Sequence, residues 1–122
     1  MPQSSSTVVR IYDVLLTIFP DSPTDRAIDD LQETILGQLR VGESRDVIIG
    51  LSNVEIMDSF FARTISETAQ MIRLMGGTPI IVGIQPSVAL IAAELGYNQD
   101  DVETARTTDQ ALEMLGQTMV EL

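Results

Sequence analysis

Short runs of apolar and β-branched residues alternate with amphipathic segments along most of this chain. The runs with the length and composition of strands are residues 8–11, 14–19, 46–50, 78–82 and 102–105. Only Tyr12 and Asp13 separate the first two runs, which predicts a hairpin. Between the later runs, apolar residues recur every three or four positions, as they do in helices that bury one face.

Four helices are predicted in the amphipathic segments, each with a polar start or a glycine end. The first follows the entry signature of residues 21–25 and ends near Gly42, and the others cover about 59–75, 87–95 and 108–119. The second helix is predicted to be well buried, with Met71 and Met75 on its inner side. Strands that alternate with helices favour right-handed crossovers and parallel pairing. We therefore predict one α/β domain with a mixed, mostly parallel sheet, an N-terminal hairpin and four helices.

A polar turn joins the third strand to the second helix, and it ends at Asp58 and Ser59. This turn lies beyond the carboxyl end of a strand, where binding sites of α/β sheets concentrate. The pair fits a simple helix cap, in which Asp58 accepts backbone N–H bonds. It also fits a regulatory acceptor, because a phosphate on Ser59 would meet the positive end of the helix dipole beside Asp58 and Glu55. The spacing alone leaves both interpretations open.

The chain contains no histidine, cysteine or lysine, and all seven of its cationic side chains are arginines. Thiolate chemistry, a lysine Schiff base and the commonest general base are therefore excluded. A hydrolase or transferase that used Ser59 as its nucleophile would have only a carboxylate as base. The acidic cluster of Asp100, Asp101 and Glu103 is interpreted as a solvated turn. We expect a protein that is not an enzyme and has no cofactor or metal site.

The formal net charge of −11 makes nucleic acid and anionic membrane surfaces poor partners. It favours a basic protein partner, although such a charge also serves solubility alone. No apolar run approaches the roughly 20 residues that span a bilayer, and the N-terminus has no signal-peptide pattern. The expected location is cytoplasmic.

Residues 47–59 resemble the signature of STAS domains, the anti-sigma-factor antagonists, in which an Asp-Ser pair at the start of the second helix carries the phosphorylated serine. Residues 58–62, 74–76, 83–89 and 94–96 are similar to the stressosome members of that family. The resemblance covers nearly the whole chain from Val8. It implies that residues 8–122 form a STAS domain, that residues 1–7 are a flexible tail, and that Ser59 is the phosphorylation site.

The resemblance also implies a role as a scaffold that holds a switch serine kinase of the RsbT type until Ser59 is phosphorylated. The implied partners are RsbR-type STAS paralogues and a phosphatase that resets Ser59, in a homo-oligomer and a large hetero-assembly. The predicted partner-binding residues are Glu55, Met57, Asp58 and Ser59. ATP and magnesium belong to the kinase. The alternative is a free anti-sigma-factor antagonist that binds an anti-sigma kinase.

Overall fold

A sheet of five strands forms the centre of the described part of the protein, which in this computed structural model comprises residues 7–42, 45–86, 88–89, 93 and 102–116. The strands are β1 (Thr7–Ile11), β2 (Val14–Ile18), β3 (Asp46–Gly50), β4 (Pro79–Val82) and β5 (Glu103–Ala105), and they lie side by side in chain order. β1 is antiparallel to β2, and every later pairing is parallel. The mixed, mostly parallel sheet is thus confirmed.

The hairpin between β1 and β2 has the predicted two-residue turn, since Ile11 pairs with Val14. Its turn residue Tyr12 has a φ of 56°, a left-handed conformation that glycine would adopt with less strain.

Three helices lie within the described residues: α1 (Asp25–Val41), α2 (Ser59–Leu74) and α3 (Thr108–Met114). Four were predicted. The helix expected over 87–95 falls mostly outside the described residues. The described residues of that stretch, Pro86, Val88, Ala89 and Ala93, are helical, and the Ala89 N–H donates to the Gln85 carbonyl at 2.8 Å. The last helix was expected to reach residue 119, but it ends at Met114, because Leu115 is its C-cap and Gly116 has a left-handed φ of 76°. Residues 117–119 lie outside the described part.

Side chains alternate across the sheet, so the strands bury both faces. Val47 and Ile49 pack with α1 and α2 on one face, whereas Ile48 packs with Ala111 of α3 on the other. α1 contributes the stripe that its periodicity predicts: Ile28, Leu31, Ile35 and Leu39. Burial of each such side chain contributes about 1.5–3 kcal/mol, which fixes the register of helix on sheet.

The expected burial of Met71 and Met75 is wrong, because these side chains are 39% and 44% exposed. The buried stripe of α2 ends at Ile72, and the final turn of the helix lies beyond the core. Within the described ranges, no helix has the length and apolar character needed to cross a membrane.

Candidate functional site

The loop between β3 and α2, residues 51–58, lies at the carboxyl edge of the sheet and is tied to both neighbouring strand ends. On one side, the Leu51 N–H donates to the Val82 carbonyl at 2.9 Å. On the other, the Glu55 N–H donates to the Asp21 carbonyl at 3.2 Å, in the segment that follows β2. The sheet topology therefore holds the loop before any partner arrives.

Gly83, just after β4, packs directly against this loop. Its φ is 75°, and a Cβ at this position would overlap the hydroxyl of Ser52. The Gln85 side-chain amide donates to the Ser52 carbonyl at 2.6 Å. Only glycine allows the two chain segments to approach this closely, so the end of β4 helps to shape the loop.

The side chains of the loop divide into two sets. Val54 and Met57 are buried, with 0% and 6% of their surface exposed, and they attach the loop to the core. Glu55, Ile56 and Asp58 face solvent, and Ile56 is 66% exposed. The apolar side chain that this surface presents is therefore Ile56. Met57 lies beneath Ile56. Its role in partner binding remains a prediction, and a buried Met57 would affect binding through the position of the loop.

The helix cap expected at Asp58 is present. Its Oδ1 accepts the Phe61 N–H at 2.8 Å, and its carbonyl accepts the Ala62 N–H at 3.0 Å. Phe61 fixes this first turn from below, because its buried ring packs against Phe19 with centroids 5.1 Å apart. Ser59 is then the first residue of α2, and it is exposed. The cap explains why Asp58 is there and leaves the Ser59 hydroxyl accessible to another protein.

Charge around Ser59 is mostly negative on the loop side and includes one cation on the helix side. Asp21, Glu55 and Asp58 are exposed carboxylates along the loop and the segment that supports it. Arg63 follows Ser59 by four residues, so the two share one face of α2, and Arg63 is also exposed. A phosphate on Ser59 would thus lie between the acidic loop and a guanidinium one turn along the helix.

A small-molecule or metal site finds little support in this part of the structure. An apolar crevice beneath Met57, lined by Leu51, Ile65 and Val88 among others, has a volume of about 10 Å³, which holds at most one water molecule. Across the described ranges, no group of three or more carboxylates could hold a metal ion. Two members of the acidic cluster singled out in the sequence, Asp100 and Asp101, lie outside those ranges.

The structure brings Glu55, Asp58 and Ser59 to one exposed surface, with Met57 directly under it. The residue that sequence reasoning missed is Ile56. Apolar residues in a short turn are normally assigned to the core, and the run from Val54 to Met57 does not reveal which of its apolar members faces out.

Comparison with known proteins adds the family context. The sequence of residues 7–111 matches the family model of the STAS domain. The RsbT co-antagonist protein RsbRA of Bacillus subtilis is 29% identical over 103 residues, which are 81% of this chain and 37% of that protein. The chain thus spans less than two fifths of the length of this relative.

Two solved structures share the fold. A serine-to-glutamate variant of RsbS from Moorella thermoacetica is 21% identical with a TM-score of 0.82, and the match covers 94% of this chain and 100% of that one. A chain in the solved structure of the stressosome, described as a signal integration and transduction hub, is 20% identical with a TM-score of 0.75. The match covers 92% of this chain and 100% of that one. The predicted resemblance to STAS domains, and to the stressosome members among them, is confirmed.

Proposed function

The chain belongs to the STAS domain family, and from that premise we propose that it is a non-enzymatic scaffold that binds a switch serine kinase of the RsbT type and releases it once Ser59 is phosphorylated. Its relatives are regulatory proteins, which supports a role in partner switching. The observation that carries the proposal is the position of Ser59. It is an exposed hydroxyl, first in α2, behind a cap that is complete without it.

Phosphorylation at this position would change the surface without unfolding the domain. A phosphoserine brings about −1.5 to −2 charges, and the N-terminus of a helix accommodates an anion. The same charge would stand beside Asp58 and Glu55, so a partner docked on this loop would have to desolvate three negative groups at once. The result is loss of the partner from a domain that remains folded.

The transfer itself needs nothing from this chain except the hydroxyl. The Ser59 oxygen forms a bond to the γ-phosphorus of the kinase-bound ATP, the bond from that phosphorus to the β,γ-bridging oxygen breaks, and ADP leaves. The hydroxyl proton passes to a base of the kinase. The partners proposed for the rest of the cycle are RsbR-type STAS paralogues, further copies of this chain in a large assembly, and a phosphatase that hydrolyses the Ser59 ester.

Incubation with an RsbT-type kinase and Mg-ATP, followed by mass spectrometry, tests the assignment. We expect one phosphate per chain, on Ser59, because this hydroxyl is exposed at an ordered helix start. Ser59→Ala should remain unmodified. Ser52→Ala is the matched control, since Ser52 is an exposed serine of the same loop, and it should be modified like the wild type. Phosphate that persists in Ser59→Ala would overturn the assignment.

Release is measured by calorimetric titration of the kinase into Ser59→Glu and Ser59→Ala. We expect Ser59→Glu to bind at least tenfold more weakly than the wild type and Ser59→Ala to bind within about threefold of it, in line with the cost of placing like charges at an interface. Equal thermal unfolding of the two variants would show that the difference lies in the interface. Equal affinity of the two variants would contradict a charge-driven release.

A further inference from the structure

We propose that Ile56 is the apolar anchor of the surface that docks the kinase, and that the kinase receives it in an apolar pocket rimmed by basic side chains. This inference rests on the proposed function, since it states how the partner of Ser59 is held. It adds to the predicted site the exposed side chain that lies next to the buried Met57.

The first argument is the way in which the structure presents Ile56. A single exposed isoleucine is ordinary on a protein surface. Ile56 is 66% exposed, whereas Val54 and Met57 of the same loop are buried. The backbone of this loop donates hydrogen bonds to the carbonyls of Asp21 and Val82. A side chain on a backbone that is already held in place requires no ordering of the loop on association, which lowers the entropic cost of binding.

The second argument is the charge around Ile56. Glu55 precedes it and Asp58 follows two residues later, and both are exposed. The Glu55 N–H is bonded to the carbonyl of Asp21, which adds a third exposed carboxylate to the same edge. The surface is therefore an apolar centre with an acidic rim. The complementary partner is a protein pocket with apolar walls and Arg or Lys at its mouth, because the same carboxylates repel phosphate backbones and anionic lipid.

The third argument is that Ile56 lies close to Ser59 in the chain. Ile56 comes three residues before Ser59, and the cap at Asp58 fixes the chain between them. A kinase seated on Ile56 would therefore cover the Ser59 hydroxyl. A phosphate formed there would lie inside the water-excluding rim of the contact, where like charge costs most.

Another exposed apolar residue provides a matched control. Leu74, at the last turn of α2, is 86% exposed. Because α2 has 16 residues, Leu74 lies about 22 Å along the helix from Ser59 at 1.5 Å per residue. Truncation of Leu74 removes exposed apolar surface of similar size without touching the loop.

The test is calorimetric titration of an RsbT-type kinase into the wild-type protein, Ile56→Ala, Ile56→Met and Leu74→Ala. We expect Ile56→Ala to bind at least tenfold more weakly, and Ile56→Met and Leu74→Ala to bind within threefold of the wild type. All variants should unfold at nearly the same temperature, since both side chains are exposed. A rise from 0.1 to 0.5 M NaCl should weaken wild-type binding by at least fivefold, because salt screens the acidic rim.

The outcomes separate the two proposals. If the wild type binds and Ser59→Glu does not, but Ile56→Ala binds like Leu74→Ala, the anchor is wrong and the proposed function stands. If binding is insensitive to salt, the basic rim of the partner pocket is wrong. A wild type that does not bind the kinase at all overturns the proposed function, and this inference with it.

Discussion

Asp58 combines a structural role with a proposed electrostatic role. Its carboxylate caps α2 through the Phe61 N–H, and its charge lies beside the hydroxyl that we propose is phosphorylated. Asparagine can accept the same hydrogen bond without the charge, so the two roles can be measured independently.

We expect Asp58→Ala to lower the free energy of unfolding by about 1 kcal/mol, because it removes the cap. Asp58→Asn should retain most of that stability and weaken kinase binding, because it removes one charge from the acidic rim. Urea unfolding and calorimetric titration measure the two effects. Thr107→Ala is the control: the Thr107 hydroxyl caps α3 through the Gln110 N–H at 3.1 Å, so its loss should affect stability alone. Equal destabilisation by Asp58→Asn and Asp58→Ala would show that the capping role and the charge of Asp58 cannot be separated in this way.

Among the elements, the contact between the end of β4 and the β3–α2 loop matters most for the site. Gly83 is a residue whose importance is visible only in three dimensions, since its partner Ser52 lies 31 positions earlier in the chain. Gly42 offers a comparison, because its φ of 86° is also left-handed but a Cβ there would meet nothing within 4 Å.

Gly42→Ala should cost about 1–2 kcal/mol, the usual penalty of left-handed backbone for a residue with a Cβ. Gly83→Ala should cost at least about 1 kcal/mol more, because the new methyl group also displaces the Ser52 side chain. Denaturant unfolding gives both values. Adding Ser52→Ala to Gly83→Ala should recover part of the difference. Equal losses of unfolding free energy in Gly42→Ala and Gly83→Ala would show that the loop accommodates the new methyl group without destabilisation.

The local features of this chain could be predicted from its sequence, and the choice of exposed side chains could not. The hairpin, the stripe of α1 and the Asp58 cap each depend on residues within a few positions of one another. The exposure of Ile56 and the burial of Met57 depend on what lies under the loop. Met71 shows the same limit, because its helical spacing fits the core although the core ends before the last turn of α2.

The whole molecule has room for contacts away from the proposed kinase surface. β1 is the first strand of the described sheet and pairs there with β2. Val9 and Tyr12 on this hairpin are 45% and 49% exposed. The assembly with other STAS domains that we propose would leave Ser59 accessible if it used this hairpin.

Sizing chromatography with an RsbR-type paralogue tests assembly. We expect co-elution in a particle far larger than one copy of each chain, and the same elution with Ser59→Glu, because the switch acts on the kinase. The paralogue and this chain run separately are the controls. Persistence of small species in the mixture would favour the alternative in which the protein is a free antagonist of an anti-sigma kinase.

The loop that carries Ile56 and leads to Ser59 is held by the Leu51 and Glu55 backbone bonds and by the fit of Gly83. That has a consequence for the speed of signalling. If these contacts persist through the cycle that we propose, the loop adds no slow relaxation step, and the lifetime of the kinase complex is set by phosphoryl transfer and dissociation. The proposed switch would then respond without a conformational lag.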